Sequence, residues 1–357
     1  MSKNVVPEKQ LTDLLREVGL DDSFLMGYYG GGNFGDELLF EVLQHLFHER
    51  DYRQVSFLYQ DPDNYSKFHH DLGYDAVDSS DKIEVLKAVF SRRKLVIGGG
   101  GLWGLDVNAN VVLMSVLLFF ARLLLGKQVY LIGVGYYGST TRLGHFAAWL
   151  AGKAANQILA RDQETYDRFR RINSQTYLCD DIAFNVPHLR KKAFVDDIKK
   201  LESAVDSIDR PTVLISLRRF KANQVNPYAK AVERWLANNP TVPVVLALME
   251  PRQVDPSGYK KLQKWQAARS NARVIDFSYN PVALYYLLQR YRHQLSYIGP
   301  QFHVLLIAHL AGLRLMPLAY DNKVSQLLSK LEYDGQIPIS SVSSDHLRLF
   351  VGEGQDE

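Results

Sequence analysis

The sequence predicts an α/β protein made of two doubly wound, Rossmann-like domains. Continuous apolar runs of four to seven residues, rich in Val, Ile and Leu, alternate with helix-length segments along the chain. Strands that are apolar without alternation are buried on both faces, which is the habit of parallel sheets. The runs fall into two series separated by a charged segment bounded by Pro187 and Pro211. At 357 residues the chain also exceeds what one small core serves.

The stretch 1–19 carries acidic residues and no uninterrupted apolar core, so it reads as a short amphipathic helix and not as a secretory signal. The first series of strands is expected at 24–29, 54–59, 94–97, 128–133, 157–160 and 176–179. The second is expected at 212–217, 242–248, 273–277, 295–298 and 313–319. The domain boundary is placed near Pro187, giving domains 1–187 and 188–357, with 337–357 a tail that packs back on either domain. The longest apolar run, 111–120 continued by 123–125, is too short and interrupted to span a bilayer. It reads as a helix buried against the sheet. A membrane-surface helix is the second reading, because Arg92, Arg93, Lys94, Arg122 and Lys127 flank it.

A net charge of +3 without a long basic run argues against a nucleic-acid partner. The single cysteine, Cys179, excludes an internal disulfide and a cysteine zinc cluster. His69-His70 lies in a polar loop, and no residues show metal-site spacing. A cytoplasmic protein follows, with peripheral contact at the inner membrane face as an extension.

Three strand ends of the first series carry G-x-G-x-x-G: Gly30 to Gly35, Gly99 to Gly104 and Gly133 to Gly138. A dinucleotide needs one such turn, so the triple occurrence argues against that fingerprint. Missing side chains at carboxyl strand ends instead let a polar ligand approach bare N–H groups. Tyr28, Tyr29, Phe34, Trp103, Tyr136 and Tyr137 in or beside these loops offer flat faces to a sugar. The expected acceptor-binding residues are Gly31, Gly32, Asn33, Asp36, Gly100, Gly101, Trp103 and Tyr136. Asn33, Asp36 and Glu37 are either hydroxyl partners or the caps of the helix that follows.

In the second series, the stretch 296–324 combines a strand ending at Gly299-Pro300, a helix opening with Gln301, Phe302 and His303, and a strand delivering Tyr320, Asp321 and Lys323. Pro300 favours a helix start whose outward N–H groups suit an anion. Arg161-Asp162, Asp180-Asp181 and Arg218-Arg219 also fall at strand ends, where arginine can hold a phosphate or carboxylate.

GYYGGGNFGDELL (27–39), VIGGGGLWG (96–104), LIGVGYYG (131–138), ARDQET (160–165), CDDIAF (179–184), VLISLRRF (213–220) and the segment 303–324 together resemble the polysaccharide pyruvyl transferase family. The resemblance implies a two-domain fold like that of the GT-B glycosyltransferases, an active site in the interdomain cleft, and pyruvyl transfer from phosphoenolpyruvate to a sugar. It assigns catalytic roles to His303, Arg218, Lys323 and Arg161, and donor binding to Arg218, Gln301, Phe302, His303 and Lys323. One departure stands out: Gln301-Phe302-His303 occupies the place of the family's Arg-Leu-His. Charged hydrogen bonds are worth about 1.5–3 kcal/mol against about 0.5–1.5 for neutral ones. The missing cation therefore weakens donor binding roughly tenfold or more unless Arg219 or Arg314 compensates.

The implied reaction needs no cofactor beyond phosphoenolpyruvate as co-substrate, and no metal. His303 has the intrinsic pKa of a proton shuttle. Asp36, Asp180 or Asp181 would deprotonate the sugar, which belongs to a cell-surface polysaccharide or its lipid-linked precursor. A sugar-nucleotide glycosyltransferase on the same frame, and a catalytically silent family member, are the alternatives.

Overall fold

A computed structural model describes residues 8–60, 72–103, 109–137, 141–205, 211–217, 227–269, 271–278, 281–320, 322–333 and 335–352. The chain divides into two compact units, residues 1–31 with 39–185, and residues 32–38 with 186–357. The segment 32–38, assigned to the first domain from sequence, thus groups with the second unit.

The first unit holds β1 (Ser23–Met26), β2 (Val55–Tyr59), β3 (Asp75–Asp78), β4 (Lys94–Gly98), β5 (Gln128–Val134), β6 (Gln157–Ala160) and β7 (Thr176–Leu178). All pair in parallel, in the order β3-β2-β1-β4-β5-β6-β7. Its helices are α1 (Leu11–Glu17), α2 (Phe34–Glu49), α3 (Lys82–Ser91), α4 (Ala109–Leu125), α5 (Arg142–Ala154) and α6 (Gln163–Arg170), the first turn of α2 excepted. Asp81, Thr141 and Asp162 start α3, α5 and α6 by accepting hydrogen bonds from first-turn N–H groups. Phe24, Leu95, Ile97, Val129, Leu131 and Ile158 fill the core between sheet and helices.

The second unit holds β8 (Thr212–Ser216), β9 (Val244–Leu248), β10 (Ala272–Asp276), β11 (Leu295–Gly299), β12 (Arg314–Ala319) and β13 (Ile337–Pro338), all parallel in the order β10-β9-β8-β11-β12-β13. Its helices are α7 (Val195–Val205), α8 (Pro227–Asn238), α9 (Pro256–Ala267), α10 (Pro281–Arg290), α11 (Phe302–Leu310), α12 (Asn322–Lys330) and α13 (Ser344–Gly352). The carboxyl-terminal stretch packs on this unit: Val342 and Leu347 join the core that contains Tyr228, Val232 and Trp235 of α8. In both sheets the strand order reverses beside the first strand, between β1 and β4 and between β8 and β11. Ligands of doubly wound sheets bind outside the carboxyl ends at that reversal.

The helix over the long apolar run departs from expectation. α4 is no buried helix: only Ser115, Leu118 and Ala121 are fully covered, while Leu113, Phe120, Leu123, Leu124 and Leu125 are exposed. It packs on α5 and sets Val111, Val112, Met114, Leu117 and Phe119 against the core, while its other face and its last turn stay uncovered.

Candidate functional site

At the strand-order reversal of the second unit, β11 runs into Pro300 and α11. Gln301 precedes the helix but its side chain does not cap it. Its amide nitrogen donates to the Leu217 carbonyl just past β8, and its Oε1 accepts from the Ser216 hydroxyl and, at 3.4 Å, from the Tyr297 hydroxyl. Ser216 and Tyr297 are themselves 2.7 Å apart, and the Tyr228 hydroxyl donates to the carbonyls of Ser216 at 3.0 Å and Ile298 at 3.2 Å. Burial pushes the Tyr228 and Tyr297 phenols well above their ordinary range, which keeps both protonated as donors. Gln301 is therefore a buried clamp between the ends of β8 and β11, and the expectation that it binds the donor is corrected, because its amide is spent inside the fold. Gln301→Leu removes the acceptor of two buried hydroxyls and a donor to a buried-side carbonyl. Unsatisfied groups cost about 1–3 kcal/mol each, so urea unfolding should show a loss of roughly 2–4 kcal/mol; an unchanged midpoint would contradict the clamp.

Two residues on, His303 stands in the first turn of α11, half-buried, with the Phe302 ring edge-on at 4.9 Å between centroids. The first turn of α2, which belongs to the same unit, lies against it. A Cβ on Gly35 would sit 2.1 Å from the imidazole Nδ1 and 2.7 Å from Cε1. Gly35 is glycine here because the histidine ring occupies the side-chain position. Gly32, at φ +72°, meets Val254 and Pro251 in the same way, and its backbone adopts a conformation that favours glycine. Asn33 and Glu37 are loop staples: Asn33 Oδ1 accepts from the Gly35 N–H at 3.0 Å and the buried Glu37 carboxylate from the Gly32 N–H at 3.0 Å. Asn33 and Glu37 thus bind the backbone at the helix start, as the capping reading expects. Asp36 is half-buried in the same turn.

β12 neighbours β11, so the turns that follow them, carrying Lys323 and His303, leave the same edge of the sheet. The Lys323 ammonium lies 5.7 Å from the centre of the Tyr320 ring. Arg314 opens β12 level with Ser296 and stacks on Phe350 at 4.6 Å. It is thus at the amino end of the strand, five residues or about 16 Å back from the level of Gln301 at 3.3 Å per residue, and does not replace the cation absent there. Arg218, Arg219 and Asp321 lie outside the described residues.

In the first unit, Arg161 at the end of β6 pairs with Asp181 at 3.1 Å, and both side chains are nearly inaccessible. Its Nε donates to the Tyr137 hydroxyl at 3.0 Å. Burial opposes the Arg161 charge, but Tyr137 and Asp181 outweigh it and hold the guanidinium firmly protonated. Burial likewise raises the Tyr137 phenol. The neighbouring glycines make room for this group: a Cβ on Gly135 would meet Tyr137 and Arg161, and one on Gly101 the Tyr137 ring. The two loops are also laced together, the Gly135 N–H donating to the Gly100 carbonyl at 2.9 Å. Trp103 and Tyr136 are corrections. Trp103 is fully buried, edge-on to Phe169, with its N–H on Ser115, and Tyr136 packs on Phe169 with its hydroxyl 2.8 Å from His145 Nδ1. Neither presents a face to a sugar. Gly31 abuts Tyr28, which is exposed, and the Asp180 N–H is taken by Gln10.

A cavity of about 340 Å³ opens at the carboxyl edge of the first sheet, between Tyr28, Gln60, Ser79, Lys82 and Asn110 on its polar side and Val111, Met114 and Leu117 of α4. Except for Tyr28, none of its polar residues was singled out by the sequence. They come from four separate turns and helices, and only the strand order brings them together.

Two Rossmann-like units, each with its carboxyl edge carrying charged and glycine-rich turns, define the fold class of the GT-B enzymes. UDP-GlcNAc 2-epimerase from Methanocaldococcus jannaschii superimposes with a TM-score of 0.60 at 11% identity, covering 94% of this chain and 91% of that one. The Anabaena HepE protein in complex with UDP-glucose gives 0.55 at 11% identity, covering 93% and 89%. At such identity these likenesses show the fold alone. Comparison with curated proteins finds no significant match. The polysaccharide pyruvyl transferase family model matches residues 33–322. The chain belongs to the polysaccharide pyruvyl transferase family.

Proposed function

We propose that this protein transfers a pyruvyl group from phosphoenolpyruvate to two hydroxyls of one sugar, in a cell-surface polysaccharide or its lipid-linked precursor, forming a pyruvate ketal in the cytoplasm. The observation that carries this reading is His303, held in the first turn of α11 at the strand-order reversal and buttressed by Gly35. A helix amino end favours an anion, and an imidazole beside it suits proton transfer near neutral pH.

His303 as imidazolium delivers its proton to the methylene carbon of phosphoenolpyruvate, which becomes the methyl group. The enol carbon is left cationic and is attacked by one sugar oxygen, whose proton passes to a base; Asp36 is the carboxylate nearest in sequence to the Gly35 contact. The bond to the bridging phosphate oxygen then breaks, phosphate takes the electron pair, and the second hydroxyl closes the ketal while losing its proton. No electrons are gained or lost overall. Lys323 and the α11 amino end receive the leaving phosphate, with Arg218 as the arginine that the family resemblance supplies.

Of the alternatives, a sugar-nucleotide transferase and a silent member, the silent member is favoured by Gln301, whose amide is committed to Leu217 and Ser216 where the family has a cation. Phosphate release with phosphoenolpyruvate and a panel of sugars decides between them. Acceptor-dependent release is expected, falling by about 10²–10⁴-fold in His303→Ala with unfolding midpoint retained. Release from neither phosphoenolpyruvate nor any acceptor pair, with saturable binding of a nucleotide sugar, would overturn it.

A further inference from the structure

The first unit carries an apolar face that its own fold leaves uncovered. Of the fourteen large hydrophobic side chains exposed among the described residues, three stand on α3, five on α4 and three on α5. Leu123 and Leu124 of α4 are 64% and 71% exposed. Leu143, Phe146 and Trp149, spaced by three, share one face of α5. Phe146 stacks on Trp149 along α5 at 6.0 Å, and Trp149 reaches Phe119 of α4 at 6.3 Å between centroids, which joins the two helices. α3 adjoins from the other side, since its Lys82 and Val85 line one cavity with Leu113 and Met114 of α4. Scattered exposed apolar residues are ordinary, but a contiguous face marks a docking site.

Charge identifies the occupant. Residues 109–154, which include α4, β5 and α5, contain Arg122, Lys127, Arg142 and Lys153 and not one Asp or Glu. α3 adds Lys82 and Lys87 beside Asp81 and Glu84. A symmetric pairing of two copies through this face would set the same acid-free surface against itself. An anionic surface neutralises it instead. α4 has 17 residues, about 25 Å at 1.5 Å per residue, and among the described residues no helix is long and apolar enough to cross a membrane. Aromatic and leucine side chains on one side with flanking Arg and Lys are the make-up of a helix lying in the interface.

We propose that the α4–α5 face docks in the plane of an anionic lipid bilayer, with Leu123, Leu124, Phe146 and Trp149 entering the acyl boundary and Arg122 and Arg142 meeting the headgroups. This surface is independent of the reaction proposed above. Trp149 supplies the readout: it is 42% exposed, whereas Trp103, Trp235 and Trp265 are at 0%, 1% and 4%.

The full chain is mixed with vesicles of phosphatidylcholine alone or phosphatidylcholine with phosphatidylglycerol, following sedimentation and tryptophan emission. Co-sedimentation with the anionic vesicles and a blue shift are expected, the shift vanishing in Trp149→Phe while binding persists. Leu123→Ser with Leu124→Ser should weaken partitioning by tenfold or more. Arg122→Gln and Arg142→Gln should each cost about fivefold and flatten the salt dependence. These side chains are exposed, so the variants keep the native unfolding midpoint. Failure to sediment with either vesicle, equal binding to both, or vesicle binding with Trp149 emission unmoved would overturn the proposal. So would a lipid-free dimer that Leu123→Ser with Leu124→Ser dissolves, since that would assign the face to a second copy.

Discussion

Gly35→Ala is expected to abolish most turnover while changing stability in a direction that depends on residue 303. The new methyl would lie 2.1 Å from the His303 Nδ1, more than 1 Å inside ordinary contact, so the ring must swing away. A displacement of that size costs on the order of 10²-fold in rate when it misplaces a reacting group. Overpacking costs about 1–3 kcal/mol, partly offset by the gain of up to about 1 kcal/mol for Ala over Gly inside a helix. In a His303→Ala background the clash with the ring is gone and the helix gain should prevail. Gly35→Ala should therefore destabilise the native chain and stabilise the His303→Ala variant. A double-mutant cycle in urea reads that coupling directly. Additive effects would mean that the loop does not rest on the imidazole, and the positioning of His303 would lose its support.

The elements that were legible in the sequence are those whose residues meet only one demand. Most of the eleven strands could be read because both faces are buried, which leaves a continuous apolar run, whereas the edge strand β10 exposes Arg273 and Asp276 and was read from its Val-Ile pair and its place in the series. β3 escaped because an edge strand reading Asp-Ala-Val-Asp buries only Val77. β13 escaped because it is two residues long. The glycine-rich strand ends could be located from sequence, but not what each glycine makes room for. Room for a ligand and room for the protein's own rings demand the same missing Cβ, and the structure uses Gly27 and Gly98 for Tyr29, Gly30 for Tyr59, and Gly35 for His303. Trp103 could not be recognised as core because its N–H is satisfied by Ser115, a partner set by tertiary packing. Gln301 was read as a weakened phosphate ligand, since nothing local reveals that Ser216 and Leu217, some 85 residues earlier, absorb its amide. α4 shows the same limit, because hydropathy records that a helix shuns water without recording what covers it.

Arg161 carries the second large effect, and it is an effect on folding. The resemblance assigns this arginine to catalysis, yet it sits at the end of β6 with Asp181 at 3.1 Å, the two side chains only 7% and 5% exposed. Taking one partner from a buried pair strands the other charge, which costs about 3–5 kcal/mol. Arg161→Ala should lower the stability by that amount, enough to unfold much of a marginal protein at growth temperature. Arg161→Lys should recover only part of it, because an ammonium cannot reproduce the fork that joins Asp181 and the Tyr137 hydroxyl. The decisive variant replaces both members, Arg161→Met with Asp181→Leu. Apolar side chains of similar volume often substitute a buried pair at little cost, so most of the lost stability should return. If that double variant is stable and still releases phosphate at a rate near the native one, Arg161 is an architectural residue of the first unit. If it is stable and inactive while Asp181→Asn keeps its turnover, the guanidinium acts on substrate, and the catalytic role that the resemblance implies is restored.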